Sequence, residues 1–405
     1  MAKVNHALVI GGGIAGLTMA LALHKAGIRA TIYESYPSTA DGVGASLMLA
    51  PNGLSALKLV GVDAALLAAS QPITRMAMAD SRGKVLTVFD GIEGMPPSRV
   101  VWRSDLYRVL RAAVEAAGIR VIYGKRLVGA SETADGVSAQ FGDGSVADGD
   151  ILIGADGIRS TVRELIDPCA PAPRYTGFLG FGGGAPPDAM QVPAGCMTFV
   201  FGKHAFFGYW ADPGLGICWF GSLPHETPLT MEEARKMPAA QWLGRLRALY
   251  GDDQPAQTFL RQAVSDQLVA TGASEMMPPV PRWHSQRMVL VGDAVHAPSS
   301  SSGQGASLAI ESAVQLARCL RDLPVPADAF ACYERLRRAR VENAAADAAK
   351  VNSRKASGPF AKALAHMLMP IALKCFFNPA KMFGALHGYR IDWDASVDQT
   401  EASRA

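Results

Sequence analysis

The chain has 405 residues, 49% of them hydrophobic and 19% charged, which is enough apolar material for the cores of two or three domains. Its formal net charge is +3, and the basic residues are spread along the sequence, which argues against a nucleic-acid-binding surface. The six cysteines include no C-x-x-C pair and have no histidine cluster nearby, so we expect free thiols in a reducing cytoplasm and no metal site.

Two apolar segments are similar to targeting or membrane signals. The one that follows Lys3 contains three successive glycines, Gly11–Gly13, which suit a strand-turn-helix better than a signal peptide. The other, Phe360–Phe377, contains Lys362 and Pro370 and predicts a broken amphipathic helix that packs on the protein rather than on a membrane. No stretch is long and apolar enough to predict a transmembrane helix.

The first predicted elements form a β-α-β unit. A strand covers Ala7–Ile10, a turn covers Gly11–Gly16, a helix covers Leu17–Lys25 and ends near Gly27, and a second strand covers Arg29–Tyr33. The next predicted elements, in order, are a helix over Asn52–Val60, a hairpin over Ile73–Val88 that turns at Asp80–Gly83, a helix over Asp105–Ala117, a strand over Arg120–Tyr123, a hairpin that begins with Val137–Phe141 and continues after Gly144, and a strand over Ile151–Ile153.

The pattern changes between Arg174 and about Gln257, where apolar residues alternate and aromatic residues are frequent. We interpret this region as an antiparallel sheet that is interrupted by a helical stretch over Met231–Tyr250. A buried strand is then predicted over Met288–Val291, long helices begin near Gly303 and Ala327, and the chain beyond about Asp394 is predicted to be a frayed tail. This order indicates a doubly wound domain that is interrupted by a sheet domain.

A glycine-rich turn carries the first functional motif. Gly11, Gly13 and Gly16 form a G-x-G-x-x-G pattern, with Ile14 and Ala15 inside it, between the first predicted strand and helix. The first glycine permits the tight turn, the second lets a pyrophosphate approach the backbone, and the third lets the helix pack closely on the strand. The N-terminus of the helix also attracts phosphate. The pattern occurs in purely structural turns as well, so it does not identify a ligand alone.

Glu34 strengthens this interpretation. It ends the second predicted strand, 18 positions after Gly16, where an acidic residue accepts hydrogen bonds from an adenosine ribose. An ordinary surface glutamate is the alternative, and the strand context favours the ribose role. The two features together predict a dinucleotide site without choosing between FAD and NAD.

Two later segments extend the pattern. They are Gly154–Arg163, which contains Asp156, and Gly292–Pro298, which continues to Gly303–Ser307. In their order and separations these motifs resemble those of the single-component flavoprotein aromatic hydroxylases. That family includes salicylate-type hydroxylases, urate hydroxylases and tetracycline-inactivating monooxygenases. The resemblance covers the chain from about Asn5 to Asp394.

The resemblance and the order of elements imply an α/β fold: a Rossmann-like FAD-binding domain interrupted by an antiparallel-sheet substrate domain, with C-terminal helices. The expected boundaries are 1–72, 97–173 and 281–325 for the discontinuous FAD-binding domain, 73–96 and 174–280 for the substrate-binding sheet domain, 326–394 for the C-terminal helical region, and 395–405 for the tail.

The resemblance also implies roles for individual residues. Asp156 would lie near the FAD pyrophosphate and the nicotinamide path, and Asp293 would bind a ribityl hydroxyl. Trp102–Leu106 looks like the family's R-x-x-L segment, in which Arg103 would contact the ribityl-phosphate region. Backbone N–H groups of Gly303–Ser307 would cap the flavin ring at a helix start. Either aspartate could instead cap a helix. The full set of cofactor-binding candidates is Gly11, Gly13, Ile14, Ala15, Gly16, Glu34, Arg103, Asp156, Gly292, Asp293, Gly303, Gly305, Ala306 and Ser307.

Some positions depart from the family pattern. Ser35 and Tyr36 follow the ribose glutamate, where a basic residue is often found. Ser300 stands where the family often has proline, and Ser307 where it often has asparagine. The phosphate contacts and the wall that faces the flavin are therefore expected to differ from those of other members.

The implied activity is that of an FAD-dependent monooxygenase. NAD(P)H would reduce the bound flavin and leave, and dioxygen would add at C4a to give a hydroperoxide. Its terminal oxygen would then pass to a small aromatic, polyketide-like or enol substrate. His296 is interpreted as a packed histidine of the flavin-binding loop rather than as a catalytic group. The sequence does not distinguish NADH from NADPH.

The substrate is expected between the flavin and the aromatic-rich sheet. Phe207 and Tyr209 share one face of a strand by period-two alternation, but alternation leaves open which way that face points. His204 or Tyr209 could polarise a phenol, although the sequence identifies no catalytic residue. The pocket candidates are Met48, His204, Phe207, Tyr209 and Trp219.

Two alternatives remain at this level. Another flavin oxidoreductase on the same scaffold is one, although the W-x-W-x-I-P signature of the related halogenases is absent around Trp219–Pro224. A flavin-binding accessory protein without turnover is the other. Because no thioredoxin-like domain follows residue 394, we expect a monomer or a weak homodimer.

Overall fold

The computed structural model of the protein describes residues 4–39, 45–355 and 379–397. The predicted amphipathic helix over Phe360–Phe377 lies outside the described residues, as do residues 398–405 of the predicted tail. No helix within the described ranges is long and apolar enough to cross a membrane.

The start of the chain folds into the predicted β-α-β unit, made of β1 (His6–Ile10), α1 (Ile14–Lys25) and β2 (Arg29–Tyr33). The two strands run parallel, with Ala7 opposite Ala30. Most of their residues are buried, as expected of parallel strands covered on both faces. Gly27 has a φ of +75° just after α1, which lets the chain reverse into β2.

Three later strands complete a five-stranded parallel sheet in the order β18, β12, β1, β2, β8. Helix α1 packs against two further helices, α4 (Arg103–Ala116) and α10 (Gly305–Asp322). The chain leaves this unit after β12 and returns to it at β18, so the unit is discontinuous in sequence. The added strands are β8 (Arg120–Ile122), β12 (Ile151–Gly154) and β18 (Met288–Leu290).

A second, seven-stranded sheet has the order β17, β13, β16, β15, β14, β5, β6. Its neighbours are antiparallel except for β5 and β14, which run parallel and which the sequence did not predict as partners. The reason is that β5 comes from an earlier hairpin and joins the edge of the later sheet. The strands are β5 (Arg75–Asp80), β6 (Val85–Asp90), β13 (Arg174–Ala185), β14 (Cys196–Phe201), β15 (Phe206–Asp212), β16 (Gly216–Pro224) and β17 (Val269–Met276).

One face of the seven-stranded sheet is covered by three helices: α6 (Met231–Lys236), α7 (Ala239–Leu249) and α8 (Ala256–Gln262). The single helical stretch predicted over Met231–Tyr250 is thus two helices. The break falls at Met237 and Pro238, because a residue before proline is disfavoured in helical conformation.

Two small antiparallel sheets accompany the large ones. The hairpin predicted around Val137–Phe141 gains a third strand, and a separate sheet joins segments far apart in sequence. The first sheet contains β9 (Leu127–Glu132), β10 (Val137–Phe141) and β11 (Val146–Gly149), and the second contains β3 (Ser46–Leu49), β7 (Ser98–Trp102) and β4 (Gln71–Ile73).

Six further helices and two short 3₁₀ turns complete the described part of the chain. Short 3₁₀ turns cover Ser265–Gln267 and Ser300–Ser302. The helices are α2 (Pro51–Leu59), α3 (Asp63–Ala68), α5 (Thr161–Ile166), α9 (Asp293–His296), α11 (Pro326–Lys355) and α12 (Pro379–His387).

Candidate active site

The glycine-rich turn between β1 and α1 needs its glycines for different reasons. Gly11 has a φ of +101°, and a Cβ there would overlap the carbonyl oxygen of Ala155. A Cβ on Gly16 would overlap the carbonyl oxygen of Gly11. A Cβ on Gly13, in contrast, would meet nothing within 4 Å, and Gly13 lies on the wall of a large cavity together with Ile14 and Ala15. The turn therefore exposes its backbone only where a phosphate would approach.

Glu34 lies beside this turn and is held by the backbone. Its Oε2 accepts a hydrogen bond from the N–H of Gly12 at 2.7 Å, and its Oε1 accepts one from the N–H of Tyr36 at 2.8 Å. The hydroxyl of Ser35 donates to the same Oε1 at 3.1 Å. A carboxylate has about four lone-pair sites, two on each oxygen, so Oε1 is fully used and Oε2 keeps capacity for one further donor such as a ribose hydroxyl.

The cavity has a volume of about 1560 Å³ and lies between the carboxyl ends of the parallel strands and one face of the seven-stranded sheet. Ligands of doubly wound proteins bind at this edge of the sheet. A pocket for one drug-sized ligand usually measures roughly 300–1,000 Å³. The cavity is therefore larger than the pocket that one drug-sized ligand needs.

Arg103 and Asp293 are two charged side chains on the cavity wall. Arg103 is the first residue of α4, and Asp293 begins α9 directly after Gly292. The carboxylate of Asp293 is surrounded by protein atoms, but its surface is open to the cavity. Burial raises the pKa of Asp293, and the charge of Arg103 opposes that rise. Neither side chain hydrogen-bonds to any residue in the described ranges, so both can bind a ligand.

Asp156 and Gly292 lie behind the wall rather than on it. Asp156 Oδ2 accepts a hydrogen bond from the N–H of Val162 at 3.1 Å, so this aspartate caps the first turn of α5. Burial raises its pKa, and its buried Oδ1 has no hydrogen-bond partner among the described residues. Gly292 has a φ of +67°, and a Cβ there would lie 2.9 Å from the Cβ of Ala15. Both residues thus shape the turns that support the cavity.

The loop from residue 297 to the start of α10 forms another part of the wall. Gly303 has a φ of +61°, and a Cβ there would lie 3.4 Å from Cε of Met48 across the cavity. Gly305 and Ala306 border the cavity in the first turn of α10, where backbone N–H groups lack helical partners. Such an end favours negative charge, which suits a reduced flavin.

Two serines of this region are used within the protein. The hydroxyl of Ser300 lies 3.1 Å from that of Ser274, which joins the loop to β17. Ser307 Oγ is buried and accepts a hydrogen bond from the N–H of Ala50 at 3.1 Å. Ser307 is fully buried and does not border the cavity, unlike Gly305 and Ala306 before it.

The predicted substrate residues divide between the two faces of the sheet. Phe207 and Tyr209 do share a face, but it is the face that packs on the helices, where Phe207 and Tyr209 contact Phe259. His204 is exposed in the turn before β15. None of these three side chains borders the cavity, and the period of two turns Phe206 and Trp210 toward it instead.

Met48 and Trp219 both border the cavity. Trp219 nevertheless belongs to the helix-facing core, where it stacks on Phe207 with ring centroids 5.5 Å apart and its Nε1 donates to the carbonyl oxygen of Gly184 at 3.2 Å. Met48 is therefore the predicted pocket residue with the more open position.

A buried polar network, which the sequence did not predict, supports the loop from behind. Asn52 Nδ2 donates to Gln304 Oε1 at 3.3 Å and to Glu311 Oε1 at 2.6 Å. Gln304 Nε2 donates to His387 Nε2 at 3.1 Å, which requires that nitrogen to be unprotonated. Burial and the charges of Arg340 and Arg390 lower the pKa of His387 to about 4, in agreement with this contact.

Glu311 is the centre of this network. Its side chain is fully buried and pairs with two arginines. Arg340 donates to both carboxylate oxygens at 2.9 Å. Arg337 Nη1 lies 2.6 Å from Oε2, at an angle that makes an ion pair rather than a hydrogen bond. Burial alone would raise the pKa of Glu311, but the two guanidinium charges outweigh it and hold the pKa below its usual value.

His296 is fully buried, in line with its interpretation as a packed residue. Its Nε2 lies 2.8 Å from the hydroxyl of Ser312, which also accepts a hydrogen bond from Arg337 Nε at 3.2 Å. Burial, and then the charge of Arg337, lower the pKa of His296 to about 3. No group of three or more potential metal-binding side chains occurs in the part of the chain that the structure describes.

The fold and the site define a protein of the dinucleotide-binding class, with one cavity that extends from the glycine-rich turn to the seven-stranded sheet. Residues 5–184 and 265–348 match the FAD binding domain family, and the chain belongs to that family. It is an enzyme of the FAD-dependent monooxygenase class, FAD is its cofactor, and NAD(P)H use is typical of the family.

Three similar proteins illustrate this relationship. The aurachin C monooxygenase/isomerase of Stigmatella aurantiaca is 31% identical over 343 residues, covering 83% of this chain and 85% of the relative. The FAD-dependent urate hydroxylase of Klebsiella pneumoniae is 30% identical over 347 residues, covering 83% and 87%. The protein in the crystal structure of Klebsiella pneumoniae HpxO with FAD and uric acid is 25% identical in sequence to this chain. The two structures superpose with a TM-score of 0.82, over 95% of this chain and 96% of the other.

Proposed function

We propose that the protein uses NAD(P)H and O₂ to hydroxylate an electron-rich carbon of a small aromatic, enol or polyketide-like substrate. The observation that supports this most directly is the shape of the cavity. Its wall carries the glycine-rich turn, Arg103 and Asp293 at one side, and it continues to the seven-stranded sheet at the other. A substrate in the part of the cavity beside the seven-stranded sheet would face the ring end of a bound flavin.

The residues present fit FAD. We assign the pyrophosphate to the open backbone at Gly13, the ribose to the free lone pair on Oε2 of Glu34, and the ribityl-phosphate region to Arg103 and Asp293. The N-terminus of α10, at Gly305, would face the flavin ring. When bound, FAD accepts a hydride from NAD(P)H and activates dioxygen, which no side chain of the protein can do.

The protein's own contribution would be to position substrate and to exclude water. Apolar walls remove water that would otherwise uncouple NAD(P)H oxidation from hydroxylation. Neither candidate for a catalytic base is placed to act: Tyr209 faces the helices, where burial raises its pKa, and His204 is exposed. We therefore propose that an electron-rich substrate reacts without a side-chain base.

The domain boundaries that we propose are those expected from the sequence. We assign FAD binding to residues 1–72, 97–173 and 281–325, and substrate binding to 73–96 and 174–280. A monomer or weak homodimer in the cytoplasm is proposed as well. The five cysteines of the described ranges are free thiols, which suits a reducing compartment.

The test is anaerobic stopped-flow reduction of the FAD-loaded enzyme by NADH and by NADPH, with phenolic and polyketide-like compounds. A compound that accelerates flavin bleaching and is hydroxylated after oxygen is admitted supports the proposal. Flavin that binds but is never reduced would favour the non-turnover accessory protein. An Asp293→Ala variant serves as the control, because we expect it to lose flavin without losing its fold.

A further inference from the structure

The loop that leads into α10 depends on one side chain for its shape. Gln304 directly precedes α10, and the residues on both sides of it, Gly303 and Gly305, have no side chain. Glycine leaves the backbone free to adopt many conformations. Gln304 is buried, with 3% of the residue exposed, so its contacts with the interior are what can hold this part of the loop in place.

Gln304 does not use its side chain to cap the helix. The side chain at the N-cap position often accepts a hydrogen bond from the first free N–H groups of a helix. The side chain of Gln304 makes no such bond, and its own backbone N–H donates to Ser302 Oγ at 3.1 Å. The N–H groups of Gly305 and Ala306, which border the cavity, therefore receive no acceptor from the N-cap side chain.

The side-chain amide of Gln304 is instead held at both ends. Its Oε1 accepts a hydrogen bond from Asn52 Nδ2 at 3.3 Å, and its Nε2 donates to His387 Nε2 at 3.1 Å. Asn52 lies in the first turn of α2, and His387 is the last residue of α12. The amide therefore joins the loop to two helices that are far from it in the sequence.

Glu311 sets the direction of the hydrogen bonds in this chain. Its carboxylate is paired with two arginines and can only accept, so Asn52 turns its NH₂ group toward it, at 2.6 Å. The same NH₂ group requires the oxygen of Gln304 opposite it, and the NH₂ group of Gln304 then faces His387. A flipped Gln304 amide would place two donors against each other. Gln304 therefore has one favoured orientation.

We propose that Gln304, held by Asn52 and His387, is a positioning residue for the flavin, because it fixes the backbone at the start of α10 and so favours reduced over oxidised flavin. This inference rests on the proposed function, which places the flavin ring at Gly305. Reduced flavin carries negative charge, and a helix N-terminus stabilises such charge only within its first turn. A loop without its anchor is therefore expected to make the bound flavin harder to reduce.

The experiment measures the reduction potential of the bound FAD by titrating the FAD-loaded protein with dithionite against reference dyes. Gln304→Met keeps the length of the side chain and removes both hydrogen bonds. It is expected to lower the ratio of affinities for reduced and oxidised flavin about 10-fold, which lowers a two-electron potential by about 30 mV. His387→Leu removes the acceptor and is expected to act in the same direction. His387→Gln offers an acceptor oxygen and is expected to keep the ratio within about 2-fold of the parent protein.

Gln315→Met is the matched control. Gln315 lies on the same helix and is as well buried, with 1% exposed, but its Nε2 donates to Cys319 Sγ at 3.8 Å rather than to the loop. Gln315→Met is expected to keep the affinity ratio within about 2-fold, even where it destabilises the protein. If it lowers the potential as far as Gln304→Met, the effect is a general loosening of α10 and the inference fails.

Hydrogen exchange of the FAD-loaded, oxidised protein gives a second readout. In the loop the N–H of Gly303 donates to the carbonyl oxygen of Ser300 at 3.2 Å, and the next N–H donates to Ser302. Both are expected to exchange about 10-fold faster in Gln304→Met and at the parent rate in Gln315→Met. If Gln304→Met does not retain FAD, His387→Leu decides by the same two measurements. A parent-like potential in the flavin-loaded variants would overturn the inference.

These measurements also separate the positioning role from the proposed function, because they need no NAD(P)H, O₂ or substrate. If the potential and the exchange rates shift as expected while no compound is hydroxylated, the positioning role of Gln304 stands and the proposed hydroxylation fails. If Gln304→Met hydroxylates a substrate and its FAD keeps the potential of the parent protein, the function stands and the positioning role is refuted.

Discussion

Replacing Glu311 with glutamine tests whether the buried network behind the flavin loop stabilises the protein. Glu311 and Arg337 have side chains with 0% exposure, and Arg340 has 14%. The substitution keeps the shape of the side chain and removes its charge. The guanidinium of Arg337 is then left in the interior without a compensating anion, and Arg340 loses a strong acceptor.

The expected cost follows from burial. Removing one partner of a buried ion pair destabilises a protein by about 3–5 kcal/mol, because the remaining charge stays desolvated. A folded domain is stable by only about 5–15 kcal/mol, so this is a large share. Exposed pairs are worth about 0–1 kcal/mol. Glu342, which accepts a hydrogen bond from Arg338 at 2.9 Å near the surface, therefore provides a matched control as Glu342→Gln.

Urea unfolding followed by tryptophan fluorescence gives the free energy of unfolding of both variants and the parent protein. We expect Glu311→Gln to lose about 3–5 kcal/mol and Glu342→Gln less than about 1 kcal/mol. If both variants lose the same small amount, the buried charges do not depend on one another as the geometry indicates. FAD is expected to bind Glu311→Gln more weakly too, since Asn52 links Glu311 to Gln304 in the loop.

Three further predictions concern the cofactor and pH. Gly13→Ala is expected to weaken FAD binding about 10-fold or more and to leave the stability of the FAD-free protein unchanged. Gly16→Ala is expected to lose about 1–3 kcal/mol of stability. Flavin fluorescence titrations measure the binding, and thermal melts measure the stability. Asp293→Ala is expected to weaken FAD binding about 10- to 100-fold by removing a charge-assisted hydrogen bond, without destabilising the FAD-free protein; an unchanged Kd would refute the assignment. His296 and His387 stay neutral when folded but gain a proton below about pH 6.5 when unfolded, so the free energy of unfolding is expected to fall from that pH down to about 4, by up to about 1.4 kcal/mol per pH unit for each. Urea curves for His387→Gln are expected to have a shallower pH dependence, and identical slopes would contradict this account.

The parts of the fold that the sequence predicted are those set by local patterns. The strand Arg29–Tyr33 has its predicted bounds, because an apolar run between glycine and a turn leaves little choice. The hairpin with Asp80–Gly83 at its turn is present for the same reason. In contrast, the sheet of β3, β4 and β7 joins segments from residues 46 to 102, and no local pattern specifies that pairing.

The cofactor side was predictable because its glycines act through the backbone. The position of Gly13 on the cavity wall follows from its place in the motif, whereas the helix-capping contact of Asp156 needed the structure. The network around Glu311 was missed because its arginines are 26 and 29 residues further along the chain, on another helix. An isolated glutamate in a helix gives no sign of such a partner.

For the substrate side of the cavity, the sequence predicted which residues of β15 share a face but not which face of the strand borders the cavity. Alternation grouped Phe207 with Tyr209 correctly, but both faces of β15 carry aromatic residues, so hydrophobicity could not say which one is covered by helices. Glycine resolves the choice once the structure is known: Gly208 lies on the face of Phe206 and Trp210 and leaves space for the ring of Phe220. In β15 the face of Phe207 and Tyr209 packs on the helices, and the face of Phe206 and Trp210, with glycine between them, borders the cavity.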